Sequence, residues 1–316
     1  MKATVLIDNK APCRLASEWG LSVLIEHRGR TTLLDAGDSG AFIRNAEAMG
    51  IDISRVNCAA LSHAHYDHAD GFDAFFQVNR EAKLYIAQAA HENCYGIDQG
   101  EMVYMGVSRG LFARHARRIV RVSQPTEIAP DVWALPHSTA GLSQRGLEAR
   151  MFVAPNRPDS TGAEAFDDPD NYLGDALSGK AAALCAAHER VRSCVPVPGE
   201  DELAPDDFSH EQSLVVKLDT GIAVFSSCSH CGPDVAIAEA KAFMPGERIL
   251  ALVGGFHLYE TPDEEVRALA ARLKAANVER IYTGHCTGDR AFAILVKELG
   301  KDMVSETASG LTIELV

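Results

Sequence analysis

Nothing in the sequence resembles an export signal or a membrane anchor. The opening MKATVLIDNK lacks an apolar core of signal-peptide length. No later apolar run approaches the roughly 18 residues that a bilayer span needs. No membrane association is therefore expected, and a cytoplasmic location is. Basic residues are in the minority, with 30 Lys and Arg against 44 Asp and Glu and a formal net charge of -14. That balance excludes a protein that grips nucleic-acid phosphate through a broad basic surface, although a local basic pocket for a small anionic substrate stays open. Cysteine is sparse and dispersed: Cys13, Cys58, Cys94, Cys185, Cys194, Cys228, Cys231 and Cys286 do not make a dense disulfide framework, so reduced thiols are expected. Only Cys228 and Cys231 form a CxxC, within SSCSHCG, and the second pair that a structural zinc site needs is missing. Internal repeats are lacking too.

What is present is an ordinary globular composition, 47% hydrophobic and 23% charged over 316 residues, enough for a full core. One domain over residues 1–316 is the default expectation. Strands are expected at Lys2 to Asp8, Leu21 to Glu26, Thr31 to Asp35, Asn57 to Ser62 and Lys83 to Ala87, punctuated by glycine and asparagine turns. Phe42, Ile43, Ala46 and Met49 recur at near-helical spacing and predict a helix over Gly40 to Met49. From about 140 to 207 periodicity weakens and proline, glycine and acidic residues accumulate, which predicts a loop-rich excursion. Strands return in SLVVKL, IAVFSSC, RILALVGG, RIYTGH and SGLTIELV, with amphipathic helices near Asp263 to Ala276 and Asp289 to Leu299.

The strongest signal is SHAHYDHADG, in which His63, His65, Asp67 and His68 fall within six residues directly after an apolar strand. Imidazole and carboxylate groups suit zinc, iron and manganese, whereas calcium prefers oxygen alone. An extended backbone can aim His63 and His65 at one ion, and the following turn lets Asp67 and His68 reach a second. Two divalent ions, zinc first with iron or manganese as alternatives, can clamp an oxyanion substrate between them. A histidine-rich surface loop without metal is the bland alternative, and four such groups behind an apolar strand weigh against it.

SHAHYDH fits the HxHxDH signature of the metallo-β-lactamase superfamily, and LLDAG resembles that family's strand ending in a buried aspartate, here Asp35. More narrowly, VLIDN, GLSVLIE, LSHAHYDH, SSCSHCG, VGGFHL and YTGHCTG resemble the branch of dihydropterin-ribofuranosylaminobenzene phosphate synthases. The resemblance implies an α/β fold, a four-layer αββα sandwich. It further implies His285 as the final metal histidine and His230, in CSH, as another ligand, with an orienting role as the alternative for His230. Cys228 stands where the superfamily usually carries a metal-bridging aspartate, a departure from ordinary lactamase or glyoxalase chemistry.

Three residues are expected to assist catalysis: Asp67, His257 in VGGFHL, where two glycines permit close approach to a ligand, and Glu211 in DDFSHEQSL. His210 beside it is a further candidate for the centre. His27, His91, His115, His137 and His188 are read as ordinary. Arg109, Arg114, Arg117, Arg118 and Arg121 form either a phosphate-facing patch or a solvated helix face, the latter favoured. The implied activity is joining a dihydropterin diphosphate to a phosphorylated aminobenzene riboside with loss of diphosphate. Alternatives are a metal-dependent hydrolase of a phosphorylated, ester or lactone small molecule and a non-catalytic metal-containing small-molecule binding protein. The oligomeric state is not legible.

Overall fold

A computed structural model of the chain describes residues 1–12, 14–160 and 195–316. Cys13, Cys185, Cys194 and His188 lie outside the described residues. Two seven-stranded mixed sheets form the centre. The first runs Thr312–Glu314, Lys2–Ile7, Ser22–His27, Arg30–Leu34, Cys58–Ala60, Lys83–Ala87, Ile119–Val122. The second runs Val304–Glu306, Ile281–Thr283, Ile249–Val253, Gly221–Phe225, Gln212–Leu218, Val132–Pro136, Thr126–Ala129.

The layering follows from period-two burial with both strand faces covered. Along the first strand Val5 faces one core and Leu6 another; Val23 and Leu24 divide in the same way. In the second sheet Val253 joins Val5 and Val23, while Leu252 turns to the opposite side. The shared core therefore lies between the sheets, and each outer core lies beneath helices. Ala41–Ala48 and Phe72–Val78 cover the first sheet through Phe42, Ala46, Phe72 and Phe75. Pro233–Phe243, Asp263–Ala275 and Asp289–Leu299 cover the second through Ile237, Leu269, Leu273 and Leu295. The result is the expected αββα sandwich.

Asp263, Glu264 and Glu265 open their helix and Arg272 and Lys274 close it, each charge matched to the helix dipole. Pro233–Phe243 was not anticipated; it starts with proline at the first position, where a missing N–H costs nothing. The expected excursion is also more ordered at its ends than its composition suggests. Met151–Val153 pairs with Ala204–Pro205 and with Cys94–Asp98, which pairs in turn with Glu101–Tyr104. These make a third, four-stranded sheet, and residues 161–194 lie outside the described residues. No described helix is long and apolar enough to cross a membrane.

Candidate metal centre

Strand ends from both sheets deliver the site. The Cys58–Ala60 strand leads to His63, His65 extends as the cap of a short helix, Tyr66–Ala69, and that turn presents Asp67 and His68. Strands ending at Phe225 and Thr283 lead to His230 and His285. These residues fall into two sets, His63 with His65 and His230, and Asp67 with His68 and His285; within each set the potential ligand atoms lie within 4.8 Å of one another. All six are buried.

Hydrogen bonds on the outer side of the rings fix which nitrogen faces inward. Asp35 Oδ2 accepts from His68 Nδ1 at 2.8 Å and from Ser62 Oγ at 2.7 Å. Ser62 Oγ in turn accepts from His63 Nδ1 at 2.8 Å. Asn9 Oδ1 accepts from His285 Nδ1 at 2.9 Å. With Nδ1 carrying the proton in all three, Nε2 is the inward donor atom, the arrangement usual for metal-ligating histidine. His68 Nε2 and His285 Nε2 then stand 3.2 Å apart, and His63 Nε2 and His230 Nε2 3.3 Å. A cation seated between the two nitrogens of each pair would be shared by both as ligands. Ligands about 2.1 Å from a tetrahedral ion are separated by about 3.4 Å, so the donor sets fit two ions of this kind.

The electrostatics agree. Burial, then the neighbouring histidines, hold His63 and His230 far below the usual imidazole range, and burial followed by His210 brings His65 to about 3. The first set is thus neutral. In the second, burial opposes ionisation of Asp67, but His68 and His285 outweigh it and hold the carboxyl below its usual range. Burial likewise works against a charged His285, yet Cys286, Asp67 and Asp8 lift it to about 9. That half of the site therefore draws positive charge.

Cys228 Sγ lies 3.1 Å from His68 Nε2 and 3.3 Å from Cys286 Sγ. A thiol thus stands beside the second set, and the contact with Cys286 replaces any pairing with Cys231. Burial pushes Cys228 up; Cys286, although buried, is held down by its contact with Cys228 and by His285. Among the described residues all five cysteines are free.

The segment Asp206–Gln212 fastens both ligand loops. Glu211 Oε1 accepts from the His230 N–H at 2.9 Å and Oε2 from the Cys231 N–H at 2.8 Å. Both oxygens hold backbone N–H groups, which places Glu211 behind the loop that carries His230. Gln212 Nε2 donates to the Leu61 and Tyr85 carbonyls, and Phe208 stacks on the His230 ring at 5.3 Å and 13°. His210 Nδ1 accepts from the Ala64 N–H at 3.1 Å, so its proton sits on Nε2 and is donated to Asp206 Oδ2 at 2.9 Å. His65, Cys94, Asp206 and His210 are close enough to suggest a further metal site. A protonated Nε2 cannot ligate, so His210 instead holds the backbone between His63 and His65.

His257 is half-buried, with its ring 4.4 Å from that of His230, and lines a cavity of about 280 Å³ with Ser229, Phe256 and Leu258. It belongs to neither ligand set. Asp35, Phe208, Ser229, His257 and His285 all adopt positive φ without being glycine, strain of the sort that functional sites hold in place. The arginines serve the fold. Arg114 pairs with Asp73, Arg109 donates to Asn93 and Tyr95, and Arg118 and Arg121 donate to backbone carbonyls; Arg117 is exposed. They form neither a phosphate-facing patch nor one solvated helix face. Asn9, Ser62, Asp206 and Cys286 carry tasks that their sequence surroundings did not announce.

The model of the metallo-β-lactamase superfamily matches residues 20–226. The chain belongs to that superfamily. It is 34% identical over 293 residues to an uncharacterised protein of Methanocaldococcus jannaschii, covering 92% of each chain. From the same organism, the 7,8-dihydropterin-6-methyl-4-(beta-D-ribofuranosyl)-aminobenzene-5'-phosphate synthase is 21% identical over 299 residues, 90% of this chain and 86% of the relative. Among solved structures, Tm1679, described as a metal-dependent hydrolase of the beta-lactamase superfamily, superimposes with a TM-score of 0.71 at 25% identity, covering 100% of this chain and 99% of the other.

Proposed function

We propose that this protein is a dinuclear metal-dependent enzyme that joins a dihydropterin diphosphate to a phosphorylated aminobenzene riboside with loss of diphosphate. The observation that carries the metal-dependent reading is the pair of converging three-residue ligand sets; the substrate class rests on the likeness to the synthase. His63, His65 and His230 would hold one divalent ion, Asp67, His68 and His285 the other, with zinc the first choice for this nitrogen-rich set and iron or manganese alternatives. When bound, the ions supply Lewis-acid neutralisation of negative charge developing on the substrate. Asp35, Ser62 and Asn9 keep the ligand rings in one tautomer. Asp67 remains ionised and orients the reacting group. His257, outside the ligand sets and on the cavity wall, contacts the substrate and moves a proton at a ring nitrogen.

A second reading, hydrolysis of a phosphorylated or ester small molecule, is favoured by the likeness to Tm1679, a metal-dependent hydrolase. Metal-loaded protein is assayed with a pterin diphosphate plus an aromatic amine, and separately with generic phosphodiester, thioester and lactone substrates. Turnover of the first kind alone, abolished by Asp67→Ala, supports the transferase. Turnover of the second kind alone supports the hydrolase, and tight binding without turnover of either sinks both.

A further inference from the structure

The two exposed aromatic side chains among the described residues are Trp19, 47% exposed, and Tyr259, 42% exposed. They touch each other edge to face with ring centroids 6.1 Å apart, and the Trp19 ring lies 5.2 Å from that of His285. Large aromatic surface left this exposed to water is uncommon, and here it sits at the edge of the candidate metal centre.

The backbone beneath Trp19 is pinned on both sides. The Glu18 N–H donates to the Asp8 carbonyl at 3.2 Å and the Gly20 N–H to Asn9 Oδ1 at 3.2 Å. Glu18 itself accepts from the Asp38 and Ser39 N–H groups and the Ser39 hydroxyl. Gly20 packs so closely that a side-chain carbon there would meet the Asp67 carbonyl at 2.6 Å. Trp19 is therefore held out from fixed backbone, tied to the strand end that also carries Asn9.

A cavity of about 310 Å³ opens beneath the pair, lined by Asn9, Lys10, His285, Asp289, Phe292 and Glu306 among others. Its rim chemistry selects between occupants. Lys10 is already paired with Asp289 and Glu306, each at 2.6 Å, so the rim offers no free cation to a phosphate. Asp289 and Glu306 each meet Lys10 through one oxygen, Oδ1 and Oε1, and the second oxygen of each suits a ring amino group. We infer that Trp19 and Tyr259 form the stacking wall of a subsite for a planar, amino-substituted heteroaromatic ring, whose substituent reaches the metal centre past His285. This rests on the proposed function, since it places one ring of the substrate against the second ligand set.

The test uses metal-loaded protein carrying Trp133→Phe, which leaves Trp19 as the sole tryptophan. The protein is titrated with 6-hydroxymethylpterin and with ribose 5-phosphate, followed by tryptophan emission and by calorimetry. The pterin is expected to bind and quench Trp19, and ribose 5-phosphate to leave its emission unchanged. Trp19→Ala should weaken pterin binding at least about tenfold, or about 1.4 kcal/mol. Trp19→Phe should restore most of it, because a ring remains to stack. Unweakened pterin binding in Trp19→Ala and Tyr259→Leu, or no pterin binding by the parent, overturns the inference. Metal content separates the two levels: parent protein that retains no metal defeats the proposed function, whereas metal-replete variants that keep full pterin affinity defeat only the aromatic wall.

Discussion

Asn9 and His285 are separated by 276 positions in the chain, yet the Asn9 side-chain oxygen takes the His285 Nδ1 proton at 2.9 Å. That contact assigns the tautomer of the last histidine in the second ligand set from the end of the first strand. The same oxygen accepts the Gly20 N–H, so ligand orientation and the Trp19 loop share one atom.

Protein purified without chelator is expected to carry close to two equivalents of divalent metal by elemental analysis. His63→Ala should lower that content, and chelation should lower the melting temperature, because ions that bind only the folded state stabilise it. Metal-free parent protein, together with a His63→Ala variant of unchanged stability, would remove the basis for the centre.

Asp35→Asn tests the outer hydrogen-bond layer without changing size. Asparagine tolerates the left-handed backbone found here, φ 58°. What is lost is a charged acceptor serving Ser62 and His68. Metal affinity measured by chelator competition should fall by about 10- to 100-fold. Unchanged affinity would mean that Asp35 does not orient the ligands.

Glu211→Gln replaces one of two accepting oxygens with an NH₂ group that confronts a backbone N–H. The expected loss is about 1–3 kcal/mol in stability by denaturant unfolding. Metal loss should concentrate in the set containing His230, whose loop Glu211 holds. Equal loss from both sets, or none, would contradict this assignment.

Cys228→Ser probes the thiol beside His68. Cobalt-loaded parent protein should show near-ultraviolet thiolate-to-cobalt absorption that the variant lacks, with the histidine-dependent visible bands retained. Identical spectra would place the thiol outside the coordination sphere.

Glu18 provides a pH signature away from the ligands. Burial and then Asp38 raise its carboxyl from 4.5 to about 7. Between those values the folded chain retains a proton that the unfolded chain has released. Stability therefore falls as pH rises through this window and levels off above it, by a contribution on the order of 3 kcal/mol. Glu18→Gln mimics the protonated form and should flatten that part of the curve in melting experiments. A variant with the parent's slope would rule Glu18 out as its source.

The six proposed ligands were readable because each follows a strand whose apolar run stops abruptly, and strand ends are where a sandwich can gather polar groups. Asp35 came from the LLDAG resemblance. His210 and Glu211 stand out in DDFSHEQSL, but their tasks depend on the Ala64, His230 and Cys231 amides, which no local pattern reveals. The Cys228 and Cys286 contact joins residues 58 positions apart, a relation that the local CxxC spacing does not reveal. Pro233–Phe243 is not legible in the sequence because its buried face is largely alanine, with Ala236 and Ala240 beside Ile237, which gives little contrast with its exposed side. Met151–Val153 pairs with the Cys94–Asp98 strand upstream and with Ala204–Pro205 downstream, relations invisible to local periodicity.

The distribution of the centre along the chain also bears on biogenesis. Orientation begins at Asn9, ligands start at His63, the fastening segment arrives at Asp206–Gln212, and the last histidine is His285. During synthesis from the ribosome, the HxHxDH turn emerges long before the residues that complete either coordination set. On the proposed assignment, the set containing His63 and His65 is complete only once His230 has emerged, and the set containing Asp67 and His68 only once His285 has.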